Sequence, residues 1–125
     1  MATNAINWFE IPVRDMDRAQ KFYETVLGAP LRREAMGPST LAVFNYNQAN
    51  GAGGCLFAGE RAPEPSKAGT LVYLNAEPTL DTVLARVEAA GGRISTPPVK
   101  LPGDMGIFAH ITDPEGNRVG LHALK

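Results

Sequence analysis

One cysteine, Cys55, occurs in the 125 residues. An internal disulfide is therefore excluded, and the chain is expected to work in the cytoplasm. No charge of one sign dominates: 12 Lys and Arg stand against 13 Asp and Glu, for a formal net charge of −1. That balance supplies no electrostatic footprint for nucleic acid or for an anionic membrane surface. Met1-Ala2-Thr3-Asn4 has neither a basic start nor an apolar run, so no secretory signal is visible. The stretch from Gly37 to Gly59 carries no Asp, Glu, Lys or Arg, yet Pro38, Asn45, Asn47, Gln48, Asn50 and a glycine cluster make it unfit to span a membrane. The Gly51-Ala52-Gly53-Gly54 cluster lacks the lysine of a phosphate loop and opens no helix. No Ser/His/Asp order and no paired-cysteine motif is present. What remains, 44% hydrophobic and 20% charged residues, is the composition of one soluble globular domain whose partner is a small molecule or a protein.

The chain reads twice. Asn7–Asp15 forms a strand that leads into a helical Met16–Leu27 stopped by Gly28; Thr70–Ala76 leads in the same way into Leu80–Ala90, stopped by Gly91. The offset, Trp8 to Leu71, is 63 residues, half of the chain. Each copy alone is too small to bury a core, so two modules, about 1–62 and 63–125, are expected to share one domain. Alternation puts Phe9, Ile11 and Val13 under the first helix and Trp8, Glu10 and Pro12 on the other face. In the second copy Val72, Leu74 and Ala76 face the helix, and Leu71, Tyr73 and Asn75 do not. Asp15 has the chemistry of an N-cap.

Short extended stretches follow each helix: Leu31–Glu34, Leu41–Tyr46 and Cys55–Ala58, then Arg93–Thr96, Ile107–Thr112 and Arg118–Leu121. The order βαβββ, twice, predicts an α+β fold in which a curved, cup-shaped mixed sheet carries its helices on the outer face. Asp113-Pro114-Glu115-Gly116-Asn117 has turn chemistry, with Asn50–Gly54 as its counterpart in the first copy. The Pro- and Gly-rich segments Ala58–Gly69 and Pro97–Gly106 are expected as loops at the cup's mouth.

Ile11-Pro12-Val13-Arg14-Asp15-Met16-Asp17-Arg18-Ala19 with Phe22-Tyr23, and later Asp113–Val119, resemble the glyoxalase / bleomycin-resistance / extradiol-dioxygenase superfamily, also called vicinal oxygen chelate proteins. The resemblance implies the same cup and a homodimer. It does not choose a reaction, because the superfamily holds lyases, isomerases, dioxygenases, thiol transferases and drug-sequestering proteins. Its metal-dependent members place a His in the first strand and a Glu in the last strand of each module. Carried onto this chain, those positions are Trp8, Leu71, Gly120 and, by the 63-residue offset, Phe57. None of the four offers a lone pair to a divalent ion, so neither a metal nor another cofactor is expected.

These positions, with Tyr73 and Phe108, read instead as the lining of a pocket for an apolar or planar small molecule, with Asn75, Arg118 and His122 as polar contacts. Filling of the cup by Trp8 and Phe57 is the competing reading. Glu10 shares the inner face with Trp8, where a carboxylate is costly to desolvate unless paired, which suits either acid/base work or a structural bond to Arg118 or Asn75. His110, with Phe108 and Thr112, could transfer protons or bind ligand; a satisfied core histidine is the alternative. His122 lies near a C-terminus where fraying is common. Glu10, His110 and His122 together could form a displaced metal site. Cys55 reads as an inert buried thiol, and Arg32-Arg33 as a solvated strand edge. Three functions follow: a metal-free binder; a lyase or isomerase related to glyoxalase using Glu10 and His110; and an interaction module with a filled cavity.

Overall fold

A computed structural model describes residues 4–125. The elements run β1 (Trp8–Pro12), α1 (Met16–Leu27), β2 (Arg32–Met36), β3 (Ser39–Val43), β4 (Gly53–Ala58), β5 (Tyr73–Asn75), α2 (Leu80–Leu84), β6 (Arg93–Lys100), β7 (Ile107–Thr112) and β8 (Arg118–Ala123). The βαβββ order therefore occurs twice, in an α+β fold. Hydrogen bonding resolves the expected wall into two four-stranded mixed sheets, one per module, in the orders β1-β4-β3-β2 and β5-β8-β7-β6. In each module the first strand pairs in parallel with the last, and the remaining ladders are antiparallel.

Helix α1 forms where its residues dictate. The Asp15 side chain accepts a hydrogen bond from the Arg18 amide at 3.1 Å, and Gly28, at φ 69°, ends the helix by donating its own amide to the Glu24 carbonyl. Met16, Ala19, Phe22, Tyr23 and Val26 make one buried stripe. It packs on β3, β4 and α2, while α2 packs on β8. Ile11, Leu56, Leu74, Ile111 and Leu121 join that stripe in one core spanning both modules. Phe9, Ile11 and Val13 do lie on the helix side, and Trp8 and Glu10 on the other.

Several boundaries differ from expectation. The α-helical part of α2 ends at Leu84, because the chain from Arg86 to Gly91 mixes three-residue and four-residue hydrogen bonds. β6 runs on through Pro97 and Pro98, shrinking the expected Pro97–Gly106 loop; its ladder with β7 shifts register on either side of Thr96, and such irregularity on an edge strand accommodates proline. β5 is only three residues, so Leu71 precedes it. Gly53 and Gly54 lie within β4 instead of the turn, where they admit the rings of Tyr46 and Phe9, which a Cβ would meet at about 2.5 Å; the Asn47 side chain makes the turn, accepting from the Ala49 amide. β8 extends to the fully buried Ala123, so His122 is held in a ladder and does not fray.

The Asp113–Asn117 turn has a second task beyond joining β7 to β8. Gly116 adopts φ 96°, which glycine tolerates. Asp113 accepts from the Glu115 and Asn117 amides and from the buried Tyr23 hydroxyl at 2.7 Å. Burial first, then the charge of Asp113 and the bond to it, push the Tyr23 phenol well above its ordinary pKa. Glu115 is buried at the start of α1, accepting from the amides of Arg14 at 2.5 Å and Asp15 at 3.0 Å and pairing with Arg18. Asn117 donates to the Pro12 carbonyl at 2.7 Å. One turn of the second module thus clasps the strand-to-helix corner of the first.

Candidate functional site

Among the described residues no helix or strand covers either sheet on the face opposite the helices, and the two faces differ. On the first, Val43, Cys55 and Phe57 form a small cluster closed over by Leu41, Tyr46 and Ala62. Phe57 is buried there and fills space. Trp8 remains 40% exposed, its ring edge-on to Tyr46 at 6.2 Å. Glu10 is exposed, so the desolvation expected of it does not occur, and it forms no ion pair with Arg118 or bond with Asn75. Asn75 accepts instead from the Glu77 amide. Cys55 lies opposite Glu10 in the β1–β4 ladder. Burial and then the Glu10 carboxylate raise its thiol to about 11, against a smaller opposing effect of the Trp8 indole N–H, so it stays protonated near neutrality.

The second sheet's open face gathers polar and aromatic groups. Tyr73 on β5, 46% exposed, and Phe108 on β7 meet edge to face at 5.8 Å, and the His110 ring lies 5.5 and 5.2 Å from them. His110 is itself only 8% exposed. The Tyr73 hydroxyl and His110 Nε2 are hydrogen-bonded at 2.7 Å, and Nδ1 meets the Thr96 hydroxyl at 2.9 Å, with Arg118 Nη2 donating more weakly at 3.5 Å. Burial first, then the Arg118 charge, hold the histidine below its ordinary pKa, so the imidazole is neutral at pH 7. Gly120 makes this possible: a Cβ there would come within 2.3 Å of the Tyr73 ring. His122 is tied down separately, bonded through Nε2 to the Met105 carbonyl at 2.7 Å. Leu71 is half-buried.

Sequence reasoning named Trp8, Tyr73, Phe108, His110 and Arg118 but placed them in one cup; the structure groups the last four on one sheet and leaves Trp8 and Glu10 on the other. It missed Thr96, the histidine's second partner. The sequence carried no signal for it, because Thr96 lies between two β6 register shifts and only that irregular ladder sets it opposite His110. The 63-residue offset also fails at the last strand. Glu10 pairs with Cys55 and Tyr73 with Gly120, so the counterpart of Gly120 is Cys55 rather than Phe57, because the turns before the last strands differ in length.

The chain belongs to the Glyoxalase/Bleomycin resistance protein/Dioxygenase superfamily, whose family model matches residues 5–121. Among individual relatives, lactoylglutathione lyase from Haemophilus influenzae is 28% identical over 113 residues, covering 86% of this chain and 83% of that protein. The crystal structure of glyoxalase I from Zea mays superposes with a TM-score of 0.72 at 27% identity, over 94% of this chain and 45% of the maize chain; the present chain thus spans a little under half of that enzyme. TnmS3, an antibiotic binding protein from Streptomyces sp. CB03234, shares the fold with a TM-score of 0.68 at 24% identity over 98% of both chains.

Where metal-dependent members carry ligands, this chain has Trp8, Leu71, Gly120 and, by register, Cys55. The first three have no donor atom for a cation, and the single thiol of the fourth does not make a site by itself. These residues do not fit a divalent ion. Among the described residues no three His, Cys, Asp or Glu side chains converge to form a displaced site, so Glu10, His110 and His122 are not brought together. No described helix is long and apolar enough to cross a membrane.

Proposed function

We propose that this protein binds a small, planar, largely apolar molecule on the open face of its second sheet and does so without the divalent metal of its metal-dependent relatives. The observation that carries the reading is the Tyr73–Phe108–His110 cluster: Tyr73 and Phe108 meet edge to face and the His110 ring is tilted against both, on a face that no helix covers among the described residues, with the outermost ring nearly half exposed. Aromatic rings inclined in this way offer apolar faces and edges against which a planar ligand can stack or meet edge-on, and the neutral imidazole and the tyrosine hydroxyl add polar groups that fix orientation. Asn75, Gly120 and His122 border this face, Leu71 precedes β5 in the same module, and Trp8 and Phe57 contribute from the first module if a second copy brings the two open faces together. A homodimer working in the cytoplasm fits that reading, because each copy exposes Trp8 and Tyr73 on unpartnered sheet faces. The test is calorimetric titration with a neutral planar probe, 2-naphthamide. Phe108→Ala should weaken it about tenfold, the equivalent of roughly 1.4 kcal/mol of lost contact. No binding to the parent protein at millimolar probe would refute the proposal.

A second reading, a lyase or isomerase of the glyoxalase type, is favoured by the 28% identity with lactoylglutathione lyase. Here Glu10, exposed on the first sheet, and His110, a neutral imidazole on the second, would move protons, which requires a substrate long enough to reach both sheets. Release of lactoylglutathione by the purified protein, lost in both Glu10→Gln and His110→Gln, would support it; no release would dismiss it.

A further inference from the structure

The open face of the second sheet is ordered in rows. Residues opposite one another in antiparallel ladders share a face, so Arg93, Thr112 and Arg118 form one row across β6, β7 and β8, and Thr96, His110 and Gly120 the next, with Tyr73 beside Gly120 on β5. Val99, Phe108 and His122 lie in the third row. Adjacent strands stand about 4.8 Å apart, and same-face residues along a strand about 6.7 Å. The first row therefore holds two guanidinium groups on either side of a threonine, one row from the His110 and Tyr73 rings and two from Phe108.

Arg118 also borders a neighbouring cleft that Glu10 and Glu64 line, yet neither it nor Arg93 takes part in an ion pair among the described residues, while four other arginines do. The two border a cleft of about 510 Å³ whose lining includes Lys67, Thr96 and Thr112, with Glu88 as its one carboxylate. Three cationic side chains against one anionic one, in a chain whose net charge is −1, make a local positive field that the overall composition hides. Like charges across a sheet repel, and a guanidinium presents its donors in a fork matched to carboxylate and phosphate.

We propose that the Arg93–Thr112–Arg118 row, with Lys67 at its edge, is an oxyanion subsite, and that the ligand is an aromatic carboxylate or phosphate whose ring lies on Tyr73, His110 and Phe108. The ring half of this assignment rests on the reading given under Proposed function; the anion half does not. Arg118 joins the two, since it reaches both the cleft and His110 Nδ1.

Three probes separate the halves, each followed by amide shifts in heteronuclear NMR: 2-naphthoate, the neutral 2-naphthamide, and inorganic phosphate. Naphthoate should bind at least tenfold more tightly than the amide and move signals of both rows. Phosphate alone should move Arg93–Thr96, Thr112 and Arg118. Arg93→Gln, a change at an exposed side chain, should cut the naphthoate advantage below threefold while leaving naphthamide affinity unchanged. Equal affinity for the two naphthyl compounds, or indifference of naphthoate to Arg93→Gln, overturns the oxyanion subsite even if both bind. Phosphate shifts without naphthamide binding uphold the subsite and refute the aromatic reading instead. Shifts from none of the three overturn both.

Discussion

Glu115→Gln tests whether the turn of the second module holds the two halves together. In the parent chain Oε1 accepts from two backbone amides, Arg14 and Asp15, and Oε2 from Arg18 Nε at 2.6 Å. The carboxylate has no exposed surface, and its position at the start of α1 adds the favourable field of the helix N-terminus. Glutamine fills the same volume, so no cavity term enters. Its amide oxygen can keep the two backbone donors, but its NH2 group then faces the Arg18 guanidinium, donor against donor. Losing a charge-assisted bond and leaving donors unsatisfied costs about 2–4 kcal/mol when fully buried. Arg18 is half exposed and can turn to water, which moves the expectation to the lower end, about 2 kcal/mol. With a urea slope of about 2 kcal/mol per M, the unfolding midpoint should fall by about 1 M. Arg18→Met should cost at least as much as Glu115→Gln, because both variants keep the two backbone donors satisfied but the methionine leaves a fully buried carboxylate without its cation. A midpoint shift below about 0.2 M for Glu115→Gln would show that the clasp contributes no stability and that the shared core alone joins the modules.

The remaining predictions concern the titrating groups, the glycine and the assembly. His110 binds its proton less readily folded than unfolded, so from its depressed folded value up to about 6.5 the unfolded chain holds the extra proton; stability should rise with pH through that window and be fully present above it, and His110→Gln should flatten the slope in denaturation series at pH 5.5 and 7.5. Cys55, with its thiol near 11 and no exposed surface, should resist an aromatic disulfide reagent at pH 8 and react only after denaturant is added; rapid reaction of the folded protein would contradict its burial. Gly120→Ala should displace the Tyr73 ring, break its bond to His110 and destabilise by about 1–3 kcal/mol, with loss of the Tyr73 to His110 NMR contact as the readout. Sedimentation at micromolar concentration should give twice the mass of one chain, and a monomer would count against the dimer.

The first module was the more legible half. An N-cap, a 3.6-residue apolar stripe and a glycine stop all agree in α1, so its limits could be read to the residue. α2 has a comparable stripe and a Thr79 N-cap, but its observed end at Ala85 carries no glycine stop, and β6 contains prolines that argue against a strand unless its edge position is known. Trp8 and Glu10 could be assigned to a face by alternation, but whether a face is wet, filled or shared depends on loops arriving from far away, such as Tyr46 and Ala62 over Phe57. The row of Arg93, Thr112 and Arg118 is invisible in one dimension because it exists only through ladder register. The buried state of Glu115 is likewise a product of contacts about a hundred residues distant.

The parallel pairing of first with last strand has a consequence for the order of folding. β1 meets its ladder partner 45 residues further on, Trp8 opposite Gly53, and β5 meets its partner after 47, Tyr73 opposite Gly120. Each sheet can grow from its β2–β3 or β6–β7 hairpin through the closing strand, but the strand that opens the module is added last, since it must wait until the strand that closes it has been made. During synthesis β1 therefore spends that interval as an unpaired edge, exposing the apolar side of Phe9 and Ile11, and only the hairpin pair β2–β3 and the capped α1 can form early. Loop closure across such spans precedes any reward in contacts. The first module is thus the stage at which a growing chain is most open to pairing with the wrong neighbour, and the arrival of β4 is the event that ends that exposure.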